Sequence, residues 1–258
     1  VKVSLKCETN QRYGMMQRGI VNVISCFLSV LTTLNIFEAQ LGKEIEKACT
    51  MQKGIKTRFV ERTENLKSDY EICSSIIFPE LVRHSLIRNK IEDFLLLNFY
   101  TTYGSGFSNK SVGLFQMKPK FIEKLEKSLQ ESAELEKFSF IWSYPKNLNK
   151  KEIRRIRANR MLDLNWQIDY VISFVALMEV IHSNKNMFFP NSDKSKKIAF
   201  FASSYNSGYW YDVEKISYFE NQKLFPSGLG ARNNLCSYSD VSIYHYKQII
   251  KNKTERTG

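Results

Sequence analysis

The stretch Tyr170–Ile181, YVISFVALMEVI, constrains the fold most, because nearly every side chain in it is apolar. A helix that is apolar all round must be enclosed, either by other protein elements or by lipid. This run is shorter than the roughly twenty residues that a membrane-spanning helix needs. We therefore expect Lys151–His182 to form one long helix or two, with its second half at the centre of the protein core.

Other segments also show helical patterns. Pro119 followed by apolar residues at a period of four predicts a helix over Pro119–Lys137. Pro79 beside an acidic residue predicts a helix start, with the helix continuing to about Tyr100. A helix over Lys194–Asn206 is predicted to end at Gly208, and the aromatic segment that follows is predicted to be irregular.

The chain shows neither an internal repeat nor a domain linker, so the sequence predicts a single mainly α domain. This domain is assigned to residues 72–250. A polar helical lead-in is predicted over residues 40–71, and a disordered tail over residues 251–258, KNKTERTG.

The first part of the chain resembles a targeting segment. Arg18 precedes an apolar run from Ile20 to Phe37, and Ala39 is a small residue at which cleavage could occur. This order is typical of a secretory signal peptide. We interpret residues 1–39 as an over-extended start followed by a signal peptide, and expect export to the periplasm or cell envelope. A buried N-terminal helix and an uncleaved membrane anchor over the same run are the alternatives.

Charge and cysteine content narrow the function classes. The chain of 258 residues carries 38 Lys and Arg against 26 acidic residues, a net charge of +12 that favours anionic partners. The basic residues are spread along the chain, which argues against a dedicated nucleic-acid motif. The cysteines and the three histidines match no metal-ligand spacing, and no P-loop or GxGxxG is present. We expect neither a metal nor a cofactor.

Three segments carry the chemistry, and each is weak alone. Ser75–Ser85, SIIFPELVRHS, places Glu80 directly after an apolar run, where an acid at a helix start is common. Ser111–Pro119, SVGLFQMKP, contains a glutamine that a capping role would explain. Ala199–Trp210, AFFASSYNSGYW, could simply be a helix that stops at a glycine.

Taken together and in this order, the three segments resemble the superfamily of lytic transglycosylases and goose-type lysozymes. The marks of that superfamily are a catalytic glutamate at a helix end, a GLxQxxP segment and a YNxG segment that closes a helix. Residues 113–119 match the second mark, and Tyr205–Gly208 matches the third, with Ser204 where alanine is usual. The resemblance covers about Ile72–Trp210 and implies a lysozyme-like α domain.

The resemblance implies that Glu80 is a single catalytic acid and base. Glycosidic cleavage needs an acid that protonates the leaving oxygen. A carboxyl group set against apolar side chains has its charged form desolvated, which allows it to carry a proton near neutral pH. In the transglycosylases the same glutamate then accepts a proton from the C6 hydroxyl of the sugar, and a 1,6-anhydro ring closes.

The resemblance also implies six substrate-binding residues: Gly113, Phe115, Gln116, Met117, Tyr205 and Asn206. Gly113 would let the backbone approach a sugar, and Gln116 would turn its amide into the cleft. Phe115 and Met117 would line the cleft or the core beneath it. Tyr205 is expected to hydrogen-bond near the glutamate, and Asn206 to hold the site or the substrate.

The sequence departs from the superfamily around the glutamate. Leu81 follows Glu80 where serine is common, and Gln116 lies 36 residues after Glu80, a longer gap than usual. Glu92 lies 24 residues before Gln116 and is the alternative acid, although IRNKIEDF resembles a solvated helix face. With Glu80 as the acid, residues 86–110 contain an insertion.

The sequence therefore predicts an exported, monomeric enzyme that cleaves the link between N-acetylmuramic acid and N-acetylglucosamine in peptidoglycan glycan strands. A hydrolytic lysozyme is the nearest alternative. A lysozyme-like protein that binds wall glycan without cutting it is the alternative from another class. A basic helical nucleic-acid binder is a third hypothesis, which the predicted export signal disfavours.

Overall fold

A computed structural model provides the structure of the protein. It describes residues 41–86, 90–183, 193–227 and 235–257, and of residues 85–86, 90–96 and 256–257 only the backbone. The chain divides into two units, Val1–Gly42 and Lys43–Gly258. Of the first unit, only the two residues that begin helix α1 are described, and the predicted signal peptide lies outside the described residues.

Within these residues the structure is mainly helical and has no β-strand, which confirms the predicted fold class at this level. Two isolated antiparallel bridges, Val112 with Met117 and Phe225 with Cys236, fasten the loops. The elements are α1 (41–65), α2 (Tyr70–Leu86), α3 (Lys90–Tyr103), α4 (Pro119–Gln130), a 3-10 segment (Ala133–Phe138), α5 (Ser139–Trp142), α6 (Lys150–Leu162), α7 (Leu164–Ser183), α8 (Lys194–Ser207), α9 (Val213–Glu220) and α10 (Tyr238–Thr257).

Helix α7 forms the centre of the core, as its apolar sequence predicts. Eleven of the twelve residues from Gln167 to Met178 are buried, and α7 packs against α2, α4 and α6. Among the described helices it alone has the length and apolarity of a membrane span, but 61% of that window is buried inside the protein. A separate helix precedes it, because Asp163 adopts an extended backbone and ends α6.

Two helix ends are where the sequence placed them. Pro119 begins α4, whose buried face includes Phe121, Leu125 and Leu129 at the predicted period of four. Gly208 ends α8 with a backbone φ of 120°, a conformation that glycine adopts at low cost. Helix α4 is shorter than predicted and gives way to the 3-10 segment after Gln130.

Three predictions about local structure are wrong. Pro79 lies inside α2 instead of starting a helix, since burial of the surrounding apolar residues outweighs the backbone hydrogen bond that proline cannot donate. The segment after Tyr209 contains α9 and α10. The predicted disordered tail continues α10 to Thr257, and the ammonium group of Lys253 contacts the carboxylate of Glu71 on α2.

Candidate active site

Helix α2 brings Glu80 to the wall of a cleft. The helix is apolar on most sides, with Ile76, Ile77 and Leu81 fully buried, so Glu80 is held among core side chains and is only 4% exposed. One turn later on the same helix, Nη1 of Arg83 donates a hydrogen bond of 3.1 Å to Oε1 of Glu80. A buried carboxylate needs such a partner to offset its lost hydration.

Arg83 acts as a clamp that joins three parts of the chain. Besides Glu80, its guanidinium donates to Oδ1 of Asn206 at 2.9 Å and to the backbone oxygen of Pro226 at 3.0 Å. The rings of Phe225 and Tyr238 lie 5.1 and 5.2 Å from the centre of the guanidinium. These contacts fix the orientation of Arg83, because its planar fork reaches several acceptors at once.

Sequence reasoning missed Arg83, although a signal for it was present. Residues three apart on a helix are neighbours on its surface, so an arginine three positions after Glu80 was a predictable partner. Tyr238 was also missed, and its position near Glu80 has no local sequence signal. Burial and the negative charge of Glu80 raise the pKa of the Tyr238 phenol well above its ordinary value.

The glycine- and glutamine-containing segment forms a tight loop before α4. Val112 and Met117 exchange two backbone hydrogen bonds of 2.9 Å, which close the loop. Gln116 has a backbone φ of 49°, and its side-chain amide donates to the carbonyl oxygen of Gly113 at 2.8 Å. The loop is therefore folded before any ligand arrives, with Gln116 at the edge of the cleft.

Close packing of the chain explains why residue 113 is a glycine. Its backbone φ is 75°, and a Cβ there would lie 2.7 Å from the carbonyl oxygen of Met161 and 2.8 Å from the side-chain amide of Gln167. Glycine is required because α6 and α7 approach the loop closely, and Gly113 is not among the residues that line the cleft. The amide oxygen of Gln167 accepts a 2.9 Å hydrogen bond from the backbone N–H of Phe115.

Phe115 belongs to the core beneath the cleft, one of the two positions that the sequence left open for it. Its side chain is fully buried, and its ring stacks at 6.1 Å on that of Phe59 in α1. Met117 is nearly buried too but reaches the cleft floor. Gly113 and Phe115 thus shape the cleft without lining it.

Helix α8 supplies the third wall. The hydroxyl of Tyr205 donates to the backbone oxygen of Phe115 at 3.0 Å, which ties α8 to the loop. Burial, and after it the charge of Glu80, raise the pKa of Tyr205 well above its ordinary value, so it remains a neutral hydrogen-bond donor. Asn206, the next residue along the helix, accepts the hydrogen bond from Arg83 described above.

These elements enclose a cleft of about 240 Å³. Five of the seven residues singled out in the sequence line it: Glu80, Gln116, Met117, Tyr205 and Asn206. Arg83 and the exposed Lys118 and Lys120 add positive charge. Within the described part of the chain, Glu80 is the only carboxylate in the cleft lining. The arrangement can support acid–base chemistry at one carboxyl group, with amide groups beside it.

An aromatic wall completes the cleft at Trp210 and Tyr211. Gly208 makes room for it, because a Cβ there would lie 2.6 Å from the ring of Trp210. The ammonium group of Lys124 lies 4.0 Å from the centre of the Trp210 ring and holds it in place. The sequence indicates Gly208 as a helix stop, but its close approach to the Trp210 ring has no local sequence signal.

The alternative acid, Glu92, belongs to α3, but its side chain is outside the described residues. Comparisons of the chain with protein-family models, with curated proteins and with solved structures return no significant match.

Proposed function

We propose that this protein is a lytic transglycosylase that cleaves the bond between N-acetylmuramic acid and N-acetylglucosamine in peptidoglycan. One observation carries this proposal: Glu80, Gln116 and Asn206 come from three segments far apart in the sequence and border the same cleft. The resemblance predicts this convergence, whereas three unrelated local motifs would not produce it.

The proposed reaction uses Glu80 twice. Its protonated carboxyl group transfers the proton to the glycosidic oxygen, and the bond from the muramic acid C1 to that oxygen breaks. The resulting carboxylate then accepts the proton of the C6 hydroxyl, whose oxygen bonds to C1 and closes the 1,6-anhydro ring. The proton is returned to Glu80, so no water is consumed. A cleft whose described lining contains one carboxylate suits this sequence of steps.

The remaining lining supports binding of a modified sugar chain. The amide of Gln116 and the hydroxyl of Ser111 can exchange hydrogen bonds with hydroxyl and acetamido groups. Trp210 and Tyr211 offer apolar ring surface to the faces of sugars. Lys118 and Lys120 would attract the carboxylates of peptidoglycan. Export to the periplasm or cell envelope belongs to the same proposal, since the polymer lies there.

Digestion of purified peptidoglycan, with the products identified by mass spectrometry, tests the reaction. We expect 1,6-anhydro-muropeptides from the wild-type protein and none from Glu80→Gln. Glu64→Gln is the matched control, because Glu64 is exposed on α1 and does not line the cleft. Products with reducing ends would instead identify a hydrolytic lysozyme.

A glycan-binding protein without cleavage is the second candidate, and the contact between Arg83 and Glu80 favours it. A carboxylate that is ion-paired with arginine has no proton to give until that contact changes. Catalytic hydrogen bonds do rearrange when substrate binds, so the same contact is compatible with the enzyme. Wild-type protein that binds insoluble wall but releases no muropeptide would support the binding role.

A further inference from the structure

Three neighbouring aromatic side chains at the end of α3 and in the loop after it are exposed, whereas Leu97, Tyr100 and Thr101 of the same helix are buried. Phe99 is 54% exposed, Tyr103 57% and Phe107 81%. The ring centres of Phe99 and Tyr103 are 6.4 Å apart, and those of Tyr103 and Phe107 are 5.5 Å apart, so the three form one aromatic patch. The patch does not line the cleft, and contiguous apolar surface of this kind marks an interaction site.

The loop that carries Phe107 is held rigidly. The backbone N–H groups of Phe107 and Ser108 donate to the carbonyl oxygen of Gly104 at 3.1 and 3.2 Å. The hydroxyl of Ser105 donates to Glu123 on α4 at 2.5 Å. Exposure of the Phe107 ring is therefore a feature of an ordered turn, and the ring is presented outward without further ordering.

Positive charge lies directly beside the patch. The guanidinium of Arg154 on α6 donates to the backbone oxygens of Thr101 and Thr102, both at 3.0 Å. Lys150 and Lys151 precede Arg154 by four and three residues, so they lie on the same side of α6. Both lysines are exposed. The nearby Glu152 is engaged in the capping box at the start of the helix.

We infer that the aromatic patch and the basic side of α6 together form a docking surface for an anionic phospholipid bilayer. The aromatic rings can insert at the apolar boundary of the bilayer, and the cationic side chains can pair with its anionic headgroups. A sugar chain fits less well, because Phe99 and Phe107 offer ring faces without the side-chain amides that accompany Trp210 and Tyr211 in the cleft. Phe107 is two residues before the cleft-lining Asn109, so docking would hold the cleft close to the membrane.

The test places a reporter on the patch in the full chain, which separates this surface from any binding by the apolar segment near the N-terminus. Phe107→Trp is mixed with phosphatidylglycerol vesicles whose acyl chains carry bromine, a quencher of tryptophan emission. Tyr218→Trp is the matched control, because Tyr218 is 61% exposed on α9 and has no part in the patch. We expect added quenching relative to wild type in the Phe107 variant and none in the control.

Two further variants measure the strength of docking. Phe107→Ser, and the pair Lys150→Glu with Lys151→Glu, should each lower the apparent vesicle affinity about tenfold, while Tyr218→Ser leaves it unchanged. Equal quenching of the two tryptophan reporters would overturn the inference. So would a loss of binding to insoluble peptidoglycan, without any effect on vesicles, in the Phe107→Ser protein, since the patch would then bind glycan. None of these readouts depends on glycan cleavage.

Discussion

Two buried carboxylates in this protein have the same degree of burial and very different surroundings. Glu80 and Glu126 are each 4% exposed, and each forms an ion pair with an arginine. Glu126 on α4 accepts both Nε and Nη2 of Arg157, at 3.0 and 2.5 Å, and the Tyr144 hydroxyl at 2.6 Å. Glu80 accepts a single nitrogen of Arg83, and it borders the cleft.

The difference shows that burial and pairing do not by themselves identify a functional carboxylate. The carboxylate of Glu126 accepts hydrogen bonds from α6 and from the loop before it, so this residue ties α4 to α6. Arg83 shares its donors among Glu80, Asn206 and Pro226, and the carboxylate that it holds faces a cavity. Access to a ligand-sized space distinguishes the candidate catalytic group.

The largest effect is expected at Glu80. Glu80→Gln should lower the rate of muropeptide release by about 10³-fold or more, because a positioned acid–base group contributes on this scale. The free energy of unfolding should change by no more than about 1 kcal/mol, since Arg83 keeps two other acceptors beside the cleft. Initial rates and urea unfolding of the same preparations check both parts. Activity near wild type would transfer the acid role to Glu92.

Glu126→Gln should produce the opposite result. Removal of its charge leaves the buried Arg157 with a poorer partner, so the free energy of unfolding should fall by about 3 kcal/mol. The folded fraction should keep its activity, because Glu126 does not line the cleft. Urea titration followed by circular dichroism gives the stability. A large rate loss with unchanged stability would contradict the contrast between the two sites.

Arg83→Lys sharpens the comparison at the cleft. An ammonium group keeps the charge but cannot reach Glu80, Asn206 and Pro226 together, so the carboxylate loses its fixed orientation. We expect kcat to fall about 10- to 100-fold with a smaller change in KM. Arg155→Lys, on the exposed side of α6, is the control. Equal kcat values for both variants would show that the clamp does not position Glu80.

The smallest effect is expected at a third, partly exposed arrangement, in which Lys194 pairs with Asp69 and Glu71. Burial opposes ionisation of Asp69 and Glu71, but other contacts outweigh it and hold the pKa of each below its ordinary value. These contacts are hydrogen bonds from Lys194 to both, from backbone N–H groups to Asp69, and from Lys253 to Glu71. A carboxyl group whose pKa is lower in the folded than in the unfolded state stabilises the fold at pH values above its unfolded-state pKa. This contribution is lost as the pH falls through the folded-state pKa.

Lys194→Ala should therefore lower Tm modestly above about pH 5, and the difference from wild type should shrink as the pH falls toward about 3. Thermal unfolding at half-unit pH steps measures it, with Lys56→Ala on the exposed side of α1 as the control. A Tm difference between Lys194→Ala and wild type that grows as the pH falls would contradict the lowered pKa values assigned to Asp69 and Glu71.

Particular residues show how far the sequence could be interpreted. Pro119 and the apolar residues after it predicted α4 and its buried face, since those signals act within one or two turns. The same rule gives a wrong prediction at Pro79, because the position of Pro79 inside α2 depends on burial by distant helices. Gly113 was recognised as a special residue, but its neighbours Met161 and Gln167 follow it by about fifty residues and could not be inferred from the loop.

The sequence by itself determined that the chain is mainly helical, that an apolar helix lies at its centre, and that α4 begins at Pro119 and α8 ends at Gly208. These features follow from side-chain periodicity and backbone preference, which are local. Only the tertiary structure decided that Glu80 and its helix neighbour Arg83 meet Gln116 and Asn206 at a cleft, while Glu126 is closed off in the interior. The physical reason is that access and pairing arise from contacts between helices, and local pattern does not specify which helices touch.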